Sequence, residues 1–143
     1  MRFIHYGSEK FDSDRFVKPT NRSPLWVKPL DGGLWASPVE SEDNWRNWCV
    51  DNDIFLDRLE KSFEFNIRPN SEILYLRNKE EISKAYRDGY LTHPRENLFY
   101  PNFELISVYF SAIFYEHNNE THYPLYGWDC DSLLVLNKNI IIV

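Results

Sequence analysis

The stretch Arg2-Phe3-Ile4-His5-Tyr6-Gly7-Ser8 decides how the rest of the chain is read. Residues 2–6 have the alternation of a half-buried β-strand, and Gly7-Ser8 breaks it at once. The strand therefore ends on a histidine where a bland residue would serve. Such a histidine either bonds to neighbouring backbone or meets a ligand, and the segments that fold beside it decide which.

Working outward, residues 8–31 hold Pro19, Pro24 and Pro29 among many polar residues and read as a long, irregular excursion. Gly33-Leu34-Trp35-Ala36-Ser37 is a short second strand stopped by Pro38. Ser41-Glu42-Asp43 reads as a helix start, with a hydroxyl cap and acids in the first turn. Trp45, Trp48 and Cys49 then fall on one helical face, where the two tryptophans are expected in the core. Strands are expected over 61–67 and 73–76, and a helix from Asn78 through Tyr86, stopped by Gly89. Residues 90–101, with Pro94 and Pro101, read as loop. A short helix from Asn102 hands over to a strand at 112–115, and residues 130–136 and 140–143 are β-rich. The inventory is that of one α+β domain over residues 1–143, with twisted, mainly antiparallel or mixed sheets and two or three short flanking helices.

Size and composition narrow the function. At 143 residues and 17.2 kDa the chain can bury a stable core without staples. Two cysteines, Cys49 and Cys130, are too few for a disulfide framework or a four-thiolate metal site. Neither a signal peptide nor an apolar run near the roughly 20 residues of a membrane span is present, so the cytoplasm is the expected compartment. The net charge of −6 argues against broad phosphate-backbone binding. That charge is uneven: residues 1–38 carry +2 and the remainder −8. An anionic small molecule would land most easily near the N-terminal segment.

The four histidines, His5, His93, His117 and His122, show no zinc-ligand spacing, so no metal is expected. No dinucleotide-binding glycine fingerprint, phosphate loop or nucleophile elbow occurs. Two constellations are more pointed. Gly32-Gly33-Leu34-Trp35-Ala36-Ser37, set against His5-Tyr6-Gly7, offers glycines for close backbone approach to a ligand, a stacking plane and a hydroxyl. Tyr126-Gly127-Trp128-Asp129-Cys130-Asp131-Ser132 places two carboxylates beside bulky rings before an apolar strand, where a cleft can tune them. Alternation would put Asp129 and Asp131 on one face.

Together these segments resemble the three-part signature of the ADP-ribosyltransferase-like family. His5-Tyr6 closes the opening strand, Gly33-Leu34-Trp35-Ala36-Ser37 stands at the second motif, and an acid followed by Leu133–Leu136, Asn137 and Ile140 stands at the third. The segments 109–113 and 131–140 are similar to the family's closing pair of strands. The chain also resembles small bacterial or phage proteins that share the Gly-Gly-Leu-Trp-Ala-Ser and Tyr-Gly-Trp-Asp-Cys-Asp-Ser stretches, a likeness that names no activity.

The family resemblance implies NAD as the substrate cofactor and transfer of ADP-ribose to a protein or nucleic-acid acceptor, or hydrolysis of NAD, in a toxin- or effector-like role. It implies that His5 donates a hydrogen bond to an NAD ribose, that Trp35 packs on the nicotinamide with Ser37 beside it, and that Asp131, or else Asp129, is the catalytic acid. Tyr6 and Gly7 would border the dinucleotide. Its pyrophosphate would fall to Arg15, among the basic residues Arg2, Arg15, Lys18, Arg22 and Lys28. Two departures stand out: the third-motif acid is usually Glu or Gln, and the second-motif ring is usually Tyr. The alternative is a non-enzymatic module on the same fold that binds a nucleotide or a partner protein, as an inhibitor or immunity factor does. A nucleic-acid-processing role is disfavoured by the charge.

Overall fold

A computed structural model describes residues 1–21, 27–29, 31–95 and 98–143. Among the described residues, nine strands and three helices follow one another as β1 (Arg2–Tyr6), β2 (Leu34–Pro38), α1 (Trp45–Asn52), β3 (Ser62–Ile67), β4 (Ile73–Leu76), α2 (Lys79–Arg87), β5 (Leu91–Arg95), β6 (Leu98–Pro101), α3 (Phe103–Tyr109), β7 (Ala112–Tyr115), β8 (Ser132–Val135) and β9 (Ile141–Ile142). Seven strands form one sheet in the order β4-β7-β8-β2-β1-β3-β9, and β5 and β6 form a separate pair. Only β4 and β7 pair in parallel; the other described pairings are antiparallel. The fold is α+β with a mixed sheet.

The run Ser132–Leu136 is apolar on both faces because both faces of β8 are covered. Leu133 and Val135 join Phe3, Phe63, Phe65 and Ile140 on one side. Leu134 and Leu136 join Ile82, Ala85, Phe103 and Ile106 on the other, which brings α2 and α3 onto that face. β7 divides the same way, with Ala112 in the first cluster and Ile113 and Tyr115 in the second. Period two thus becomes two cores across one sheet.

Each helix is capped by an asparagine: Asn44, Asn78 and Asn102 accept from the backbone N–H of Asn47, Glu81 and Leu105. The expected Ser41 cap is therefore corrected to Asn44, and no acid lies in the first turn of α1. The expected loop over 90–101 is a two-stranded hairpin whose register shifts between Thr92 and Arg95, an irregular pair that tolerates its prolines. The β-rich C-terminus divides: β8 pairs with β7 and β2, whereas β9 pairs with β3. No helix among the described residues is long and apolar enough to cross a membrane.

The functional geometry originates in β2. Its first three residues, Leu34 to Ala36, pair with β8, and its last two, Ser37 and Pro38, pair with β1 at Ile4 and Phe3. Beyond Ile4 the β1 backbone leaves β2, so His5 and Tyr6 keep only β3 as a ladder partner. The sheet splits there, and a cleft opens in the split.

Candidate active-site cleft

The cleft, of about 260 Å³, is bordered by the end of β1, by β2, by the segment 127–130 and by the first turn of α1. That volume lies just under the range of about 300–1,000 Å³ usual for small-molecule sites.

His5 stands where the sheet divides. Its Nδ1 lies 2.7 Å from the Trp35 carbonyl. A carbonyl oxygen only accepts, so Nδ1 carries the proton and donates, and in the neutral ring Nε2 keeps its lone pair. Nε2 has no partner among the described residues and is not buried, and His5 lines the cleft. Burial, the larger influence, pushes His5 below its ordinary value of 6.5, and the bond to Trp35 partly opposes it. One nitrogen of His5 thus holds backbone, and the residue lines the cleft.

Trp35 is half-buried and meets Trp128 edge to face, with ring centroids 4.9 Å apart. Trp128 is buried, and its Nε1 donates to the Val27 carbonyl at 2.7 Å, so the excursion before β2 is tied to the cleft wall. Gly127 permits this approach: its φ is +110°, and a Cβ there would sit 2.7 Å from Val27 Cγ1. The glycine pair 32–33 was expected to admit a ligand, but it admits the chain itself. A Cβ on Gly32 would sit 2.5 Å from the Val17 carbonyl oxygen.

The two acids take different settings. Asp129 lines the cleft, half-buried, and its carboxylate has no hydrogen bond or ion pair among the described residues. Asp131 is not among the lining residues and has both oxygens engaged, one by the Ser41 hydroxyl and the other by the His117 backbone N–H at 2.8 Å. Its backbone N–H donates to the Asp43 carbonyl, and Asp43 Oδ2 holds His117 Nδ1 at 2.7 Å. His117 Nε2 in turn meets His122 Nδ1 at 2.9 Å. The shared face expected from alternation fails because residues 129–131 precede β8 and are not extended strand.

Ser37, Cys130 and Ser132 form the polar floor. Ser37 is buried and its Oγ accepts from the Trp45 backbone N–H at 3.0 Å. Ser132 Oγ donates to the Cys130 carbonyl at 2.8 Å. Burial pushes the Cys130 thiol up to about 11, so it stays protonated at neutral pH and is a poor nucleophile. Tyr6 lines the cleft beside His5, while Gly7 turns the chain at φ +116° without lining it.

The expected cations are redistributed. Arg15 is 89% exposed, pairs locally with Asp12 at 3.4 Å and lies away from the cleft. Arg2 pairs with Glu64 across β1 and β3, Lys18 is absent from the lining, and Arg22 lies outside the described residues. Lys28 does line the cleft, and Arg58, which no motif marks, lines it too. Trp45, expected in the core, is half-buried and forms cleft wall; its ring stacks on Trp48 at 5.0 Å. The eight-residue α1 buries only Cys49. No group of three or more His, Cys, Asp or Glu side chains among the described residues is placed to hold a metal ion. Comparison with models of known protein families, with curated proteins and with solved structures gives no match in any of the three.

Proposed function

We propose that the cleft binds NAD and that the protein transfers its ADP-ribose to an acceptor or to water. The observation that carries this reading is that His5, Trp35 and Asp129, from three separate segments, line one cleft. In this reaction the bond between nicotinamide and ribose C1′ breaks, neutral nicotinamide leaves with the bonding electrons, and the acceptor attacks C1′ and gives up a proton. The ribose passes through an oxocarbenium-like state, as in glycoside hydrolysis.

Trp35 supplies a plane for the nicotinamide ring. His5 Nε2 accepts from a ribose hydroxyl and orients the sugar. The unpartnered Asp129 carboxylate stabilises the positive charge that develops on the ribose. Incubation with labelled NAD and a cell lysate tests the reading: released nicotinamide or label on a macromolecule supports it. The acceptor is a protein or a nucleic acid.

A second reading, a binding module without turnover, is favoured by one observation. Asp129 is one methylene shorter than the Glu usual in the family the sequence resembles. Binding of nucleotide or of a partner protein with neither transfer nor hydrolysis would select it.

A further inference from the structure

Arg58 and Lys28 both line the cleft, and neither takes part in an ion pair among the described residues. In a chain of net charge −6, two unpaired cations at one opening require explanation. Arg58 is also held in place. Its guanidinium carbon lies 5.0 Å from the centroid of the Phe55 ring, and its backbone N–H donates to the Phe55 carbonyl at 3.1 Å.

Phe55 itself is fixed by an unusual backbone. It has φ +57°, in the left-handed region that a bulky residue rarely adopts. Its ring stacks on Trp45 with centroids 6.1 Å apart, and Trp45 stacks on Trp48, so Arg58 ends a row of three aromatic planes of which Trp45 lines the cleft. Strain that places one ring under one cation is the kind of feature that gathers at ligand sites. A guanidinium already seated on a ring has less freedom to lose when it grips an oxyanion, and its N–H fork suits phosphate.

We infer that Arg58, seated on Phe55, and Lys28 form an anion subsite at the mouth of the cleft that takes the diphosphate of a nucleoside-diphosphate ligand. A cleft of about 260 Å³ is too small for a whole dinucleotide, and these two cations stand on its lining, where the phosphates of such a ligand would meet them. This rests on the cleft being a nucleotide site, as proposed above, but not on any turnover there.

The test is titration of the whole chain with ADP-ribose and with inorganic pyrophosphate, read by tryptophan fluorescence and calorimetry. Both ligands are expected to bind, with affinity falling as salt rises. Arg58→Ala should weaken both about tenfold or more, the loss of one charge-assisted contact. Arg58→Lys and Phe55→Leu should fall between it and the parent. Arg87→Ala, a surface change on α2, should alter neither, and circular dichroism checks that each variant folds. Nicotinamide riboside, which lacks the diphosphate, should be insensitive to Arg58→Ala.

Failure to bind pyrophosphate and ADP-ribose, or equal binding by the parent and by Arg58→Ala combined with Lys28→Ala, overturns the subsite. Competition by an acidic peptide but not by ADP-ribose also overturns it. Arg58-dependent binding of ADP-ribose with no nicotinamide released from NAD upholds the subsite while the transferase reading falls. Turnover of NAD with a KM unchanged in the double variant does the reverse.

Discussion

His5 Nδ1 donates to the Trp35 carbonyl at 2.7 Å, at the point where the β1–β2 ladder, paired as far as Ile4 and Ser37, comes apart. The imidazole bridges the two strands where the backbone no longer does. It props the split open and fixes its own tautomer in the same contact.

His5 should titrate below 6.5, because burial disfavours its charged form. The sign follows from linkage. The unfolded chain takes up this proton at higher pH than the folded one, so the contribution of His5 to stability is complete above 6.5 and is lost as pH falls through the lowered value. Imidazole NMR gives the midpoint directly. The difference in urea stability between the parent and His5→Gln, followed from pH 8 downward, should shrink as the solution is acidified. A midpoint above 6.5 would contradict the burial account.

Asp131→Ala should destabilise the fold by about 1–3 kcal/mol, since it leaves the Ser41 hydroxyl and the His117 N–H without their acceptor. Chemical denaturation measures this. Asp131→Asn, which retains one acceptor oxygen, should recover part of the loss.

Neither cysteine should react with a thiol reagent at pH 8 in the native protein. Cys49 and Cys130 are both buried, and burial pushes both thiols upward, Cys130 to about 11. Two thiols should titrate after denaturation. Rapid labelling of Cys130 in the folded state would show that the floor of the cleft opens.

Gly127→Ala should cost about 1–3 kcal/mol, because φ +110° is strained for any side chain and the new Cβ meets Val27. The loss should appear as a lower Tm together with altered tryptophan fluorescence, as Trp128 is drawn from its bond with Val27.

How much of this was legible depended on what marks each residue. β1, β2, β4, β7 and β8 follow from alternation or from short apolar runs, and α2 from Asn78 and Gly89 at its ends. The β5–β6 hairpin was hidden because Pro94 and Pro101 read as loop, whereas an irregular two-stranded pair accommodates them. In the site, His5, Trp35, Ser37 and Asp129 stood in short segments with glycines and aromatics and were readable as candidates. Which of Asp129 and Asp131 lines the cleft was not readable, because it turns on which carboxylate Ser41 and His117 occupy, and those contacts span 90 and 14 residues. Arg58 and Trp45 were missed for a related reason. Trp45 shares a helical spacing with Trp48 and Cys49 that reads as core, and Arg58 belongs to no periodic pattern; the left-handed turn at Asp53 and Phe55 that places Arg58 leaves no trace in residue type, since phenylalanine is disfavoured there.

The central claim is that Asp129, open in the cleft with His5 and Trp35, is the acid of an NAD-cleaving site. Nicotinamide release from NAD, measured for the parent and for Asp129→Asn, tests it most directly. Release by the parent and a fall of about 10²–10³-fold in Asp129→Asn is the predicted result, the scale expected when one preorganised electrostatic group is removed. No release by the parent, or equal release by the folded Asp129→Asn variant, would contradict it.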